Sequence, residues 1–300
     1  MSPKRILSSL WKLAVCSLAF IGGMLLGGML ITVLGMQAPT LPPEMDASST
    51  MLIMYATSPL LVLALIFVNR GLAGGWLART AMLFLLAWIA YTVNNVIEAR
   101  IFSSYETASW FTVATFTPAL LLCAAATAWL FPPHSNDKSL SNVWKEHFQQ
   151  RTAVDWAWRM LLSAVIFMPI YYFFGLFVVP FVGDYYSQGA FGLSLPPLST
   201  LLMVLFVRSV LFLIACLPVV IVWQETRLRL TLSLGFALFM LVGLLNLLLA
   251  TWIAPQVRIV HSIEIMADSL VYAGALTLLL GAAEPVTRSI SPVSHTEGAM

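Results

Sequence analysis

Arg258, His261, Glu264, Asp268 and Tyr272 follow one another at spacings of three, three, four and four residues. On an α-helix such residues gather on one face. An imidazole and two carboxylates in that arrangement can bind a cation, pass a proton or, with further ligands, hold a divalent metal. At a rise of about 1.5 Å per residue, Glu264 lies about 9 Å and Asp268 about 15 Å below Arg258. If the helix spans a membrane, Asp268 is near mid-bilayer, where ionisable groups normally face a protein interior or a wet cavity.

Two other stretches carry polar residues at comparable depth. One holds Tyr91, Asn94 or Asn95, and Glu98; another holds Arg208, whose level matches that of Asp268 and makes the two natural partners. Arg258 also opens a repeated pattern, RIVHSIE at 258–264 against RIFSSYE at 100–106. The shared Arg and Glu suggest structural ion pairs, Arg100 with Glu106 and Arg258 with Glu264, while His261, Asp268 and Tyr272 are particular to the second copy. Glu near a helix N-terminus is also favoured by the helix dipole.

The elements that position these groups follow from composition. The chain has 300 residues, 60% of them hydrophobic and 9% charged, with a mean hydropathy of +0.91. Soluble domains have roughly 45–50% apolar residues, so the solvent of this chain is lipid. The net charge of +2 is small and scattered, which argues against a nucleic-acid partner. Cys16, Cys123 and Cys216 all lie inside apolar runs without a CxxC pair, which reads as buried small hydrophobes and not as a disulfide or zinc framework.

A bilayer core of about 30 Å takes about 20 apolar residues per helix. Eight stretches qualify, at about 11–36, 51–69, 80–98, 104–131, 156–181, 199–223, 230–253 and 259–283. The first is too long for a signal peptide and reads as a retained helix. Its GGMLLGG at 22–28 lets another helix approach closely. With eight spans, twelve Lys and Arg residues fall on one side, only Arg100 and Arg258 on the other, and Arg208 within a span. The positive-inside rule then puts both termini in the cytoplasm, in the plasma membrane or a bacterial inner membrane.

The 100–125 and 258–283 segments agree at ten positions without gaps, LPP recurs at 41–43 and 195–197, and Asn95 with Ala99 matches Asn246 with Ala250. The fold expected is therefore an all-α integral membrane protein of two four-helix parallel repeats, 1–131 and 156–283, related by a pseudo-twofold axis along the membrane normal. Residues 132–155 form a cytoplasmic linker in which Val143, Trp144, His147, Phe148 and Arg151 fit one face of an interfacial helix, and 284–300 form a disordered polar tail.

Three functions fit this pattern. A transporter would bind a proton, an ion or a small molecule at His261, Glu264, Asp268, Arg208, Glu98, Asn95 and Tyr272, without a cofactor. A membrane-embedded hydrolase acting at the outer leaflet would hold a divalent metal at His261, Glu264 and Asp268, yet the chain has no HExxH, no GxSxG and no EExxxR. A non-catalytic subunit or sensor would bind a partner within the bilayer. Catalysis, substrate and oligomeric state are not legible in the chain.

Overall fold

The computed structural model describes residues 3–39, 45–103, 109–133 and 139–282. The tail 284–300, Glu106 and the first LPP lie outside them. Among the described residues the chain is helical throughout, and eight helices are long and apolar enough to cross a membrane. These are α1 (Pro3–Val33), α2 (Ala47–Asn69), α3 (Trp76–Phe102), α4 (Ser109–Leu130), α6 (Ala153–Ser187), α7 (Leu198–Ile221), α8 (Arg227–Leu249) and α9 (Pro255–Leu280). The amphipathic linker helix is α5 (Leu140–Gln149). All eight lie where the apolar runs predict, shifted by a few residues at their ends.

Local chemistry explains the boundaries. Asp46 caps α2 by accepting from the amides of Ser48 and Ser49, and Thr226 caps α8 by accepting from the amide of Arg229. In α6 the helix is broken at Ile166. Pro169, three residues on, has no N–H to give to the carbonyl of Val165, so the turn opens there. The break swings Phe167 and Tyr171 toward the bundle centre.

The helices pack closely where small residues permit. A Cβ on Gly23 would fall 2.4 Å from Ala119 Cα, and one on Gly27 2.4 Å from Thr115 O, so α1 lies backbone against backbone on α4. Gly22 and Gly28 face open space. Gly235 and Gly243 play the same part between α8 and α9, against Leu270 and Ile265. Several polar groups are paired across helices. Asn69 donates to the carbonyls of Thr127 and Phe131, Trp88 Nε1 to Thr117 Oγ1, and Thr231 to Thr277. All three cysteines are buried and free.

At the end that carries the chain termini, α5 lies with Val143 and His147 buried, while Trp144 and Phe148 remain partly exposed. Arg151 and Arg227 donate to the carbonyls of Gly281 and Ala282, and Arg159 to that of Leu279, so three cations meet the C-terminal end of α9. The connections after α2 and α7 pair there as a short antiparallel bridge, Leu72 with Trp223.

One feature of the sequence pattern changes on folding. Arg100 sits in the last turn of α3, whereas Arg258 sits in the first turn of α9, so these two arginines are not structural counterparts. The agreement that does recur is at 151 positions. Trp76 and Arg227 begin α3 and α8, and each helix widens into a six-residue π segment, Trp88–Val93 and Phe239–Leu244.

Candidate functional site

Glu98, Arg208, His261, Glu264, Asp268 and Tyr272 all line one cavity of about 170 Å³. It lies among α3, α6, α7, α8 and α9 and reaches toward the end opposite the termini, where Phe102, Leu193 and Ile253 border it. The face of α9 that carries the acids points into the bundle because its neighbours are close on that side. Glu264, Asp268 and Tyr272 are buried, while Ile259 and Ile263 on the other side are exposed.

Arg208 is the central cation, with a side chain only 3% exposed. Its Nε donates to Asn94 Oδ1 at 2.9 Å, and its Nη2 to Glu98 Oε1 at 2.5 Å. Asn94 and Glu98 are one turn apart on α3, so a single helix face holds both acceptors. Phe167, Tyr171 and Phe212 surround the guanidinium at 5.5–5.8 Å from its carbon, a cage that favours a cation through the ring faces. Nη1 is buried and has no partner among the described residues, and neither has the hydroxyl of Tyr272.

This corrects the expected pairing of Arg208 with Asp268. The two line the same cavity but form no ion pair, because α3 supplies better-placed acceptors. Neither Asn95 nor Asn94 lines the cavity itself; Asn94 reaches it through Arg208. The expected pair of Arg258 with Glu264 is also not formed among the described residues. Six residues at about 100° each leave the two side chains about 120° apart around the helix. Glu264 instead takes His261, with Nδ1 to Oε2 at 2.7 Å. Arg100 reaches Ser109 Oγ at 3.4 Å; its expected partner Glu106 lies outside the described residues.

A line of polar groups runs down α9. Tyr186 Oη lies 3.4 Å from His261 Nε2, and His261 Nδ1 contacts Glu264. With the carboxylate accepting, Nδ1 donates to Glu264, and Nε2 is left facing the Tyr186 hydroxyl. Asp268 follows one turn below Glu264, and its one hydrogen bond among the described residues is from Ser269 Oγ at 3.4 Å. Gly175 of α6 leaves room beside Glu264, since a Cβ there would sit 3.7 Å from Oε1. The connection after α6 closes over this end: Ser194 donates its amide to Phe102 O, and Gly189, Phe191 and Gly192 adopt left-handed backbone.

Sequence reasoning did not single out Tyr171, Tyr186 or Asn94 as lining or holding the site. The tyrosines resemble ordinary interfacial aromatics, and one of two adjacent asparagines cannot be chosen before the helix phase is known. The π segments had no sign at all, because neither contains proline. Such segments frequently occur at functional sites, and Val242 within the second one lines the cavity.

Among the described residues no three His, Cys, Asp or Glu side chains are grouped so as to hold a metal ion. Fold and cavity together define an all-helical polytopic protein, compatible with a membrane, with a buried polar site. The chain matches no protein-family model, no curated protein and no solved structure.

Proposed function

We propose that the protein is a permease that takes a proton or a small cation into the cavity between α3, α6, α7, α8 and α9. The observation that carries this reading is the charge balance of the cavity lining. Three carboxylates, Glu98, Glu264 and Asp268, meet one permanent cation, Arg208, which Glu98 already engages. A lone charge at that depth is costly, and a bound cation or proton offsets the cost for Asp268 and Glu264. The Tyr186–His261–Glu264 line supplies a hydrogen-bonded run that ends at Glu264, one turn from Asp268 on the same helix.

The architecture we propose with it is a pair of four-helix units, 1–131 and 156–283, joined by the α5 linker. The support is the recurrence at 151 positions of helix starts and π segments in α3 and α8, with the Leu72–Trp223 bridge joining equivalent connections. Neighbours also correspond: α1 packs on α4 as α6 packs on α9, and α2 meets α8 as α7 meets α3. Two units of four spans insert in the same sense and relate by an axis along the membrane normal, as in parallel-repeat transporters. The basic residues place the termini in the cytoplasm under this reading. A metal-dependent hydrolase has no second observation in its favour.

Transient currents on a solid-supported membrane test the permease. Proteoliposomes of the full chain should give current on an imposed proton gradient or on addition of small organic cations. Asp268→Asn and Glu264→Gln should fold and lose that current at least tenfold. Current that persists unchanged in both variants would remove the cavity as the site; folded protein without current under either stimulus would refute the permease.

A further inference from the structure

A second cavity of about 790 Å³ shares no lining residue with the first. It is a groove between α2, α8 and α9 at the end that carries the termini, walled by Phe67, Trp223, Phe236, Phe239, Met266 and Leu270. Phe67 and Met266 are exposed, so the groove opens on the lipid-facing side. Phe67 and Phe236 meet edge to face at 5.3 Å in its wall.

The rim and walls differ in chemistry. Arg70, Glu225 and Arg229 stand at the membrane edge of the groove, with Trp223 beside them. Glu225 is taken by Arg229 at 2.7 Å. Arg70 is exposed, and its side chain has no ion pair or hydrogen bond among the described residues. The rim therefore carries one net positive charge. Below it the walls are almost wholly apolar. From Arg227 to Phe239 along α8 is about 18 Å, and from Leu280 to Met266 along α9 about 21 Å. One leaflet of hydrocarbon is about 15 Å deep. The groove thus runs from headgroup level to the bilayer centre.

We infer that the groove binds one anionic glycerophospholipid, its phosphate between Arg70 and Arg229 and one acyl chain along Phe67, Phe236 and Met266. A cationic rim over an apolar trough of leaflet depth matches a molecule with an anionic head and an apolar tail. A polar solute would leave its own groups unpaired against the aromatic walls. The volume lies in the usual range for a ligand site, about 300–1,000 Å³.

Native mass spectrometry of the delipidated full chain, titrated with an equimolar mixture of phosphatidylglycerol and phosphatidylethanolamine, tests this. One phosphatidylglycerol should be retained per chain, with at least tenfold preference over phosphatidylethanolamine. Arg70→Gln with Arg229→Gln, at exposed positions, should cut that preference at least fivefold without altering the thermal unfolding of lipid-free protein. Ser233→Trp, which fills the groove, should abolish the adduct. Equal retention of the two lipids, an adduct indifferent to the arginine changes, displacement by millimolar inorganic phosphate, or a dimer in place of a lipid adduct would each overturn the assignment.

Discussion

Arg208 shows how one residue organises a membrane site. Its guanidinium has two acceptors on α3 and three rings around it, and it forms its ion pair with Glu98, not with Asp268. Removing one partner of a buried pair strands the other charge, whereas removing both is often tolerated. Glu98→Gln should lower stability by about 2 kcal/mol, somewhat less than for a fully enclosed pair because Glu98 is partly exposed. The double change Glu98→Leu with Arg208→Met should recover most of that loss, read by thermal unfolding in detergent. A double variant no more stable than Glu98→Gln would show that Arg208 is held by its rings and Asn94 more than by the charge.

At the scale of elements, the α1–α4 contact depends on two glycines and not on the whole GGMLLGG run. Gly23→Ala or Gly27→Ala puts a methyl into the backbone of α4 and should cost about 1–3 kcal/mol. Gly22→Ala and Gly28→Ala should be nearly neutral, since nothing lies within 4 Å of the added methyl. Reversible unfolding in mixed micelles distinguishes the pairs.

The docking of α5 has its own pH dependence. Burial, and then the nearby Arg151 charge, hold the His147 imidazole below its ordinary 6.5, although a backbone contact with Leu280 works the other way. The folded state therefore keeps His147 neutral. Its contribution is fully present above about pH 6.5 and is lost as pH falls through the lower folded value. Amide exchange across 140–149, corrected for intrinsic rates, should quicken at pH 5 relative to pH 8. His147→Phe should remove most of that difference.

At the scale of the whole molecule, the start of α1, the end of α9 and the α5 helix lie at one end of the bundle, and the polar cavity reaches toward the other. The three native cysteines are buried and can be replaced by alanine to give a background for labelling. A cysteine at Gln188 should react with a membrane-impermeant maleimide in intact cells. One at Gln224 should react only after the membrane is opened. Both labels appearing before lysis, or the reverse order, would contradict the proposed orientation.

The sequence by itself determined that the chain is helical, that eight runs are long and apolar enough to span a bilayer, and that Glu264, Asp268 and Tyr272 share the inner face of the last helix. Those properties follow from hydropathy and from a period of 3.6 residues, which are local. A helix over 140–149 follows from the same period, but of the face the pattern gave it Val143 and His147 are buried while Trp144 and Phe148 are exposed. Only the tertiary structure decided who pairs with whom. Arg208 chose Asn94 and Glu98 because α3 lies beside α7, and His261 took the carboxylate that Arg258 was expected to hold. The resemblance of RIFSSYE to RIVHSIE misled because four shared letters carry no information about which helix bears them. The π segments, which set the phase of α3 and α8 beyond them, arise from packing between helices and leave no proline or glycine pattern common to both. Partners and phases depend on neighbours distant in the chain, so they became visible only when the helices were assembled.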